Sequence, residues 1–403
     1  MYTRITNIIL LILLVLMAAG CGMSSSTSAP SPAAPVPTTI NAKMSAIPSL
    51  LRMTWRGYKA DFIQGDGRVV DPQRNRVTTS EGQSYALLRA VWMDDRPTFD
   101  LVWDWTRHNL QVRPDKLFGY LWGKRRDGRW TNLDKSSATD ADEDIALALI
   151  FAAHRWHAPA YQRQARDIVG DVWRQEVADV RGTPYLTAGN WGPSYDKPGP
   201  AINPSYFAPY AYRVFAHLDR SHPWMRVVDS SYRVLADCSS SPLGGRSSVD
   251  LPPNWCALDR ATGAVTSAPA LDRANLYGYD AFRAMWRVAL DYRWNKEPRA
   301  KEYLTRSIFL RERWRQDGLL TAYSHSGAAE GPEILLFYGG DIGNFVVSAP
   351  AMVRAIMERK LLPAFRRQGN TAYWDQRYVY YEQNWIWFGV ALAHGQLPNL
   401  AIT

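Results

Sequence analysis

Apolar residues recur at spacings of three and four along most of this chain, the pattern of helices that bury one face. Twelve stretches carry it: 46–63, 80–93, 98–112, 141–157, 160–179, 205–218, 224–238, 279–293, 298–315, 343–358, 361–368 and 381–395. Some are apolar nearly all round, as in Ala146, Leu147, Ala148, Leu149, Ile150, Ala152 and Ala153. Others, such as 160–179, mix Arg, Gln and Asp with Ile168, Val169, Val172 and Trp173. The first kind suits a helix enclosed by neighbours and the second a helix with one wet face. Twelve helices in six antiparallel pairs predict an all-α double ring, an (α/α)6 barrel. A helical solenoid is the rival, but no repeated consensus sequence supports it. Short strands are expected within 117–134, 183–192 and 316–340, where aromatics and Gly/Asp turns interrupt the helical period. Gly339-Gly340-Asp341-Ile342-Gly343 reads as a turn leading into a helix.

The first 45 residues follow a different pattern. Arg4 precedes an apolar run from Ile8 to Met17, then Ala18-Ala19-Gly20 and Cys21. The run is too short for a comfortable membrane span and suits a secretory signal over 1–20. Cys21 after Ala-Ala-Gly resembles a bacterial lipobox, which implies lipidation at Cys21; ordinary cleavage and an uncleaved anchor are the other readings. Residues 21–45 are rich in Ser, Pro, Thr and Ala and cannot bury enough apolar area to offset ordering, so a disordered tether is expected before a folded domain over 46–403. Cys238 and Cys256 are then the remaining cysteines, either paired in an oxidising envelope or buried as free thiols.

The chain has 403 residues, 46% hydrophobic, with a net charge of +9. Its basic excess is diffuse, and the densest knot is Lys124-Arg125-Arg126. That distribution fits a solvated surface or attraction to anionic envelope polymers better than a nucleic-acid motif. Histidines are scarce, no Gly-x-Ser-x-Gly elbow is present, and no phosphate-binding glycine loop occurs. A calcium loop would need a longer ligand spacing than the acids here offer, so no metal or cofactor is implied.

Candidate chemistry sits instead in carboxylates at helix starts. Asp140, Asp142, Glu143 and Asp144 crowd together just before an apolar helical stretch, although like charges this close repel. Glu81 lies at another helix start, where Ser80-x-x-Gln83 reads as a capping box. Asp140 could serve merely as a cap, and Glu81 merely as a complement to the helix dipole. Two unusual acids at the mouths of separate helices point further, to general acid/base work on a neutral or sugar-like substrate.

The residues around these acids resemble glycoside hydrolase family 8. The resemblance is carried by Ala138-Thr139-Asp140-Ala141-Asp142 with Ile145-Ala146, Ala148-Leu149-Ile150, Ala152 and Trp156. Ser80-Glu81-Gly82-Gln83, Asn203-Pro204-Ser205-Tyr206-Phe207-Ala208-Pro209 and Tyr279-Asp280-Ala281-Phe282-Arg283 follow in the family's order. It implies an inverting endo-β-1,4-glycanase on an (α/α)6 barrel. Glu81 would be the proton donor, Asp280 the base that activates water, and Asp140 the residue that binds and distorts the sugar. Tyr206 would hold the attacking water, and Arg283 would keep Asp280 ionised. Trp122, Trp130, Trp191, Tyr195, Tyr380 and Tyr381 are candidate sugar platforms, since flat aromatic faces suit pyranose rings. Cellulose or a related β-glucan is the expected substrate, with xylan, chitosan, or a non-catalytic glycan-binding role in exopolysaccharide export as alternatives. A monomer in the cell envelope is expected, held to a membrane through Cys21.

Overall fold

The computed structural model describes residues 46–401. The expected signal segment, Cys21 and the tether lie outside the described residues. The helices are α1 (Ile47–Phe62), α2 (Ser80–Trp92), α3 (Arg96–Asn109), α4 (Thr139–Arg155), α5 (Pro159–Glu176), α6 (Pro209–Leu218), α7 (Trp224–Ser240), α8 (Arg283–Asn295), α9 (Pro298–Arg306), α10 (Phe309–Asp317), α11 (Leu335–Ser348), α12 (Pro350–Ile356) and α13 (Tyr380–Ala393). A wide turn, Met357–Leu361, and a last helical turn, Leu362–Ala364, extend α12.

Six of these helices, α2, α4, α6, α8, α11 and α13, form an inner ring, and α4 shows why. Every side chain from Thr139 to Ala153 is buried, so only a place enclosed by other helices satisfies it. Its neighbour α5 buries Ala165, Ile168, Val169 and Val172 with the acids Asp171 and Glu176, and turns most of its other polar residues outward. Proline in the first turn starts α1, α3, α5, α6, α9 and α12, where its missing N–H is no loss. The ring closes between its first and last members. Tyr85 of α2 meets Trp385 and Phe388 of α13 edge-on at 5.7 and 5.4 Å, and Arg89 donates to Asn384 at 3.0 Å. The outer partner of α13 is α1, whose Leu51 carbonyl accepts from the Trp387 indole at 3.1 Å. The sixth hairpin therefore joins the two ends of the folded domain, the all-α barrel the periodicity predicts.

Several boundaries differ from expectation. Residues 298–315 break into α9 and α10 at Ser307 and Ile308. The predicted helix over 361–368 ends as a strand, Phe365–Gln368, which pairs with Thr371–Trp374. Another sheet, of Ala201–Ile202, Cys256–Leu258 and Val265–Ser267, went unpredicted. The glycine cluster is not a turn. Gly339, Gly340 and Gly343 all lie inside α11, where a Cβ on Gly339 would strike the Trp385 carbonyl at 2.3 Å and one on Gly343 the Met285 carbonyl at 2.3 Å. Close backbone approach between inner helices outweighs the poor helix propensity of glycine here. Cys238 and Cys256 are both buried free thiols, the second of the two readings above.

Loops at one rim complete the molecule. The strands β1 (Thr78–Thr79), β2 (Leu121–Lys124) and β3 (Trp130–Asp134) form a sheet in which Thr78 faces Trp122 and Thr79 faces Leu121. Since β1 runs straight into α2, this sheet stands beside the first turn of that helix.

Candidate active site

Glu81 occupies the first turn of α2. The cap is Thr79 rather than Ser80: its Oγ1 accepts from the Gly82 amide at 3.0 Å. Gln83 does not close a capping box either. Its side chain accepts from the Val69 amide at 2.6 Å and donates to Thr106 at 2.7 Å, tying the turn before β1 to α3. The cap lies one residue earlier than predicted, which leaves Glu81 free to point over the barrel mouth.

The four acids of α4 divide by helical geometry. Asp140 and Asp144 lie four residues apart, so they share a face one turn from each other. Asp140 meets Arg283 at 2.9 Å, and Asp144 meets Arg287 at 2.7 Å. Glu143 joins Asp144 on Arg287 at 3.2 Å and accepts from Tyr212 at 3.0 Å. Asp142 points away, accepting from the Phe118 amide at 3.0 Å. Burial beside Glu176 pushes the Asp142 carboxyl well up and that of Glu176 to about 7, so this pair keeps a proton. Only Asp140 faces the barrel mouth. It does not cap its helix, since Ala138 holds the cap position.

Arg283 gathers the site. One of its terminal nitrogens donates to Glu81 at 2.7 Å and to Asp140 at 2.9 Å, and the other donates to Asp280 at 2.9 Å and to Ser205 at 2.9 Å. The guanidinium and Asp140 are buried at 1% and 3% side-chain exposure, while Glu81 and Asp280 keep 20% and 34%. Two acids thus reach solvent above a buried ion pair. The rigid guanidinium fork holds its two bonded carboxylate oxygens, Glu81 Oε2 and Asp280 Oδ1, within about 8 Å of each other, and no hydrogen bond joins the two acids among the described residues.

One cation faces three carboxylates, so they cannot all ionise cheaply. Burial pushes the Glu81 carboxyl up to about 7; Arg283 opposes the shift, and Asp140 and Asp280 add to it. Asp280 was expected to be held low by Arg283. Burial instead raises it, with Arg283 opposing and Asp140 reinforcing, because a half-covered carboxylate loses more hydration than one shared cation returns.

Asp280 sits in the loop before α8, fixed by Asn254, which the sequence did not mark. The Asn254 side-chain oxygen accepts from the amides of Gly278, Asp280 and Ala281 at 3.2, 3.3 and 3.0 Å. Its amide nitrogen donates to the Arg273 carbonyl at 3.1 Å.

The aromatic candidates separate into three groups. Tyr206 lies with its ring 5.1 Å from the Arg283 guanidinium, and from it a row runs through Trp255 to Trp191 and Tyr195 with centroids 6.0–6.1 Å apart. Trp255 was missed, as nothing in its neighbours marks a loop residue that joins two others. Trp122 and Trp130 stack on one another at 5.0 Å on the β2–β3 hairpin. Tyr381 borders the acids and donates to the Tyr279 carbonyl at 2.9 Å, beside the 45% exposed Tyr279 ring. Tyr380 is no rim platform: it is buried against Tyr58 and Phe62, and its hydroxyl sits where a Cβ on Gly82 would strike it at 2.7 Å. Adjacent helical residues diverge by about 100°, so one of the tyrosine pair had to face inward.

The scaffold is an (α/α)6 barrel that gathers an acid pair and a buried third acid on one arginine. The family model described as glycosyl hydrolases family 8 matches residues 31–322, and the chain belongs to that family. It is 37% identical over 254 residues to an endoglucanase of Pseudomonas fluorescens, covering 58% of this chain and 58% of that protein. The match thus spans less than two thirds of that curated relative's length. Among solved structures it resembles an endo-β-1,4-glucanase from Acetobacter xylinum, with a TM-score of 0.68, 24% identity and 87% and 99% of the two chains covered. It also resembles a β-1,3-1,4-glucanase from Paenibacillus sp. X4, with a TM-score of 0.72, 21% identity and coverage of 88% and 93%. At those identities the likeness concerns the fold.

Proposed function

We propose that this protein is an inverting endo-β-1,4-glucanase. The observation that carries the reading is the trio Glu81, Asp140 and Asp280 on one guanidinium, with Glu81 and Asp280 open to solvent. Glu81, protonated near neutrality, would donate to the departing glycosidic oxygen. Asp280 would draw a proton from a water attacking the opposite face of the sugar. A ceiling of about 8 Å leaves room for the arrangement inverting pairs use, about 6.5–9.5 Å apart. Asp140, buried and locked to Arg283, would hold the sugar at the cleavage point through hydrogen bonds that strengthen as the ring flattens. Tyr206, beside both Asp140 and Asp280, would orient the water. Trp191, Tyr195, Trp122, Trp130 and Tyr381 would line a cleft for several sugar units. The endoglucanase relatives favour a β-1,4-glucan substrate.

The test is release of reducing ends from soluble cellulose derivatives, β-glucan and xylan by the intact protein. Glu81→Gln and Asp280→Asn should each abolish release while keeping polymer binding. Binding without hydrolysis by the intact protein would overturn the reading in favour of a glycan-binding role. Lipidation at Cys21, which would hold the domain to an envelope membrane, is a separate part of the proposal. Palmitate labelling that survives Cys21→Ser would reject it.

A further inference from the structure

The β2–β3 hairpin stands out from the rest of the rim by its charge. Lys124, Arg125, Arg126 and Arg129 are all exposed at its tip, opposed by Asp127 alone. Arg129 is paired to Asp127 at 2.8 Å; Lys124 and Arg126 form no ion pair among the described residues, and Arg125 only neighbours Asp127. Lys124, Arg125 and Arg126 line a shallow depression of about 480 Å³ together with Asp127 and Leu133.

The patch continues toward the acids. Val77 packs so closely on Gly123 that a Cβ there would meet it at 3.1 Å, so the turn carrying exposed Arg74 and Arg76 runs alongside the hairpin. Arg74 lies within electrostatic reach of the Tyr120 phenol, and that phenol within reach of Glu81 and Asp280. The Tyr120 carbonyl accepts from the Ser80 amide at 3.0 Å. Between the two cationic groups stand Trp122 and the 40% exposed Trp130, with the Arg68 guanidinium 4.9 and 4.4 Å from their rings. Cations therefore extend from beside Glu81 outward along two stacked indoles. Like charges gathered this closely repel, and among the described residues no ion pair relieves Lys124, Arg126 or Arg76. A bound anion would.

We propose that this arm of the cleft recognises a β-glucan chain bearing carboxylates, with Arg76, Lys124, Arg125 and Arg126 as specificity determinants. The inference rests on the glucanase reading for the identity of the chain but concerns only its charge. Aromatic faces would take the apolar faces of the sugars, and the cations would take the substituents. Because the cations are exposed, their attraction is long-ranged, adds to the association rate and is screened by salt.

The experiment compares carboxymethyl-cellulose with neutral hydroxyethyl-cellulose, by kcat/KM for the intact protein and by Kd for Glu81→Gln. Both are measured at about 20 mM and about 500 mM salt. The intact protein should prefer the anionic polymer roughly tenfold at low salt, and salt should remove most of that preference. Combined Lys124→Gln, Arg125→Gln and Arg126→Gln should erase the preference while changing values on the neutral polymer by less than about twofold. Equal losses on both polymers, or a preference indifferent to salt, would overturn the proposal. So would tight binding to anionic lipid vesicles with no discrimination between the polymers. If neither polymer is cleaved, the glucanase reading fails, and the Kd comparison still decides the charge preference.

Discussion

Arg283 and Arg287 stand one turn apart on α8 and face Asp140 and Asp144, one turn apart on α4, yet the two tiers serve different ends. The lower tier is sealed. Arg287 donates to Asp144 twice, to Glu143 and to Tyr210, and all of these side chains lie in the core. The upper tier has the same ingredients plus a further acid, and it is open on one side. Glu81 and Asp280 project past the buried Arg283–Asp140 pair into solvent. Burial raises the carboxyls of Glu143 and Asp144 in the lower tier and of Glu81 and Asp280 in the upper, but only Glu81 and Asp280 can exchange a proton with something outside. Composition does not separate a structural ion cluster from a candidate catalytic one; access does.

The comparison can be broken at either tier. Glu81→Gln or Asp280→Asn should lower kcat by about 10²–10⁴-fold each, since a positioned proton transfer contributes that much. Thermal unfolding should show no accompanying loss of stability. Arg287→Met should do the reverse, destabilising the fold by about 3–5 kcal/mol by stranding Glu143 and Asp144. Any molecules that remain folded, read by denaturant titration alongside activity per folded molecule, should turn over nearly normally. If Arg287→Met is stable but inactive, the lower tier is no mere support.

Asn254 offers a finer cut. Asn254→Leu removes the acceptor for three amides in the Asp280 loop and should lower kcat about tenfold to a hundredfold through misplacement of the base. Asn254→Asp keeps an acceptor but adds a charge near Asp280, already faced by Glu81, Asp140, Arg283 and Asp272. Its activity should therefore return only at higher pH. Matching pH profiles for Asn254→Asp and the native protein would remove Asn254 from the account.

The smallest effect is thermodynamic. A carboxyl whose folded value of about 7 lies above its ordinary value of 4.5 stabilises fully below pH 4.5 and loses that contribution as pH rises through 7. Glu81→Gln should thus stabilise the protein by about 1–3 kcal/mol at pH 8 and by little at pH 4. Activity has its own signs: it should fall above pH 7 as the donor loses its proton and fall in acid as Asp280 gains one. Equal Tm values for Glu81→Gln and the native protein at both pH values would contradict the buried-donor picture.

Much of this was legible along the chain. Glu81, Asp140, Asp280 and Arg283 stood in spaced motifs, and helical period gave the ring of helices. The failures share a cause in contacts between distant segments. Propensity began a helix only after Gly339 and Gly340, but packing against Trp385 and Phe282 carries the helix through them from Leu335. The capping rule chose Ser80, but Gln83 was already committed to Val69 and Thr106. Asn254 and Trp255 carried no local signal, since their roles exist only once the loop lies against Asp280 and Tyr206. Tyr380 looked like its neighbour Tyr381, and only the helix's rotation tells them apart.

The central claim is that Glu81 and Asp280 act from opposite faces of a sugar with a water between them. Proton NMR of cello-oligosaccharide cleavage, followed from the first turnovers before mutarotation, tests it directly. The initial product should be the α-anomer; the β-anomer appearing first would rule out the opposed acid pair.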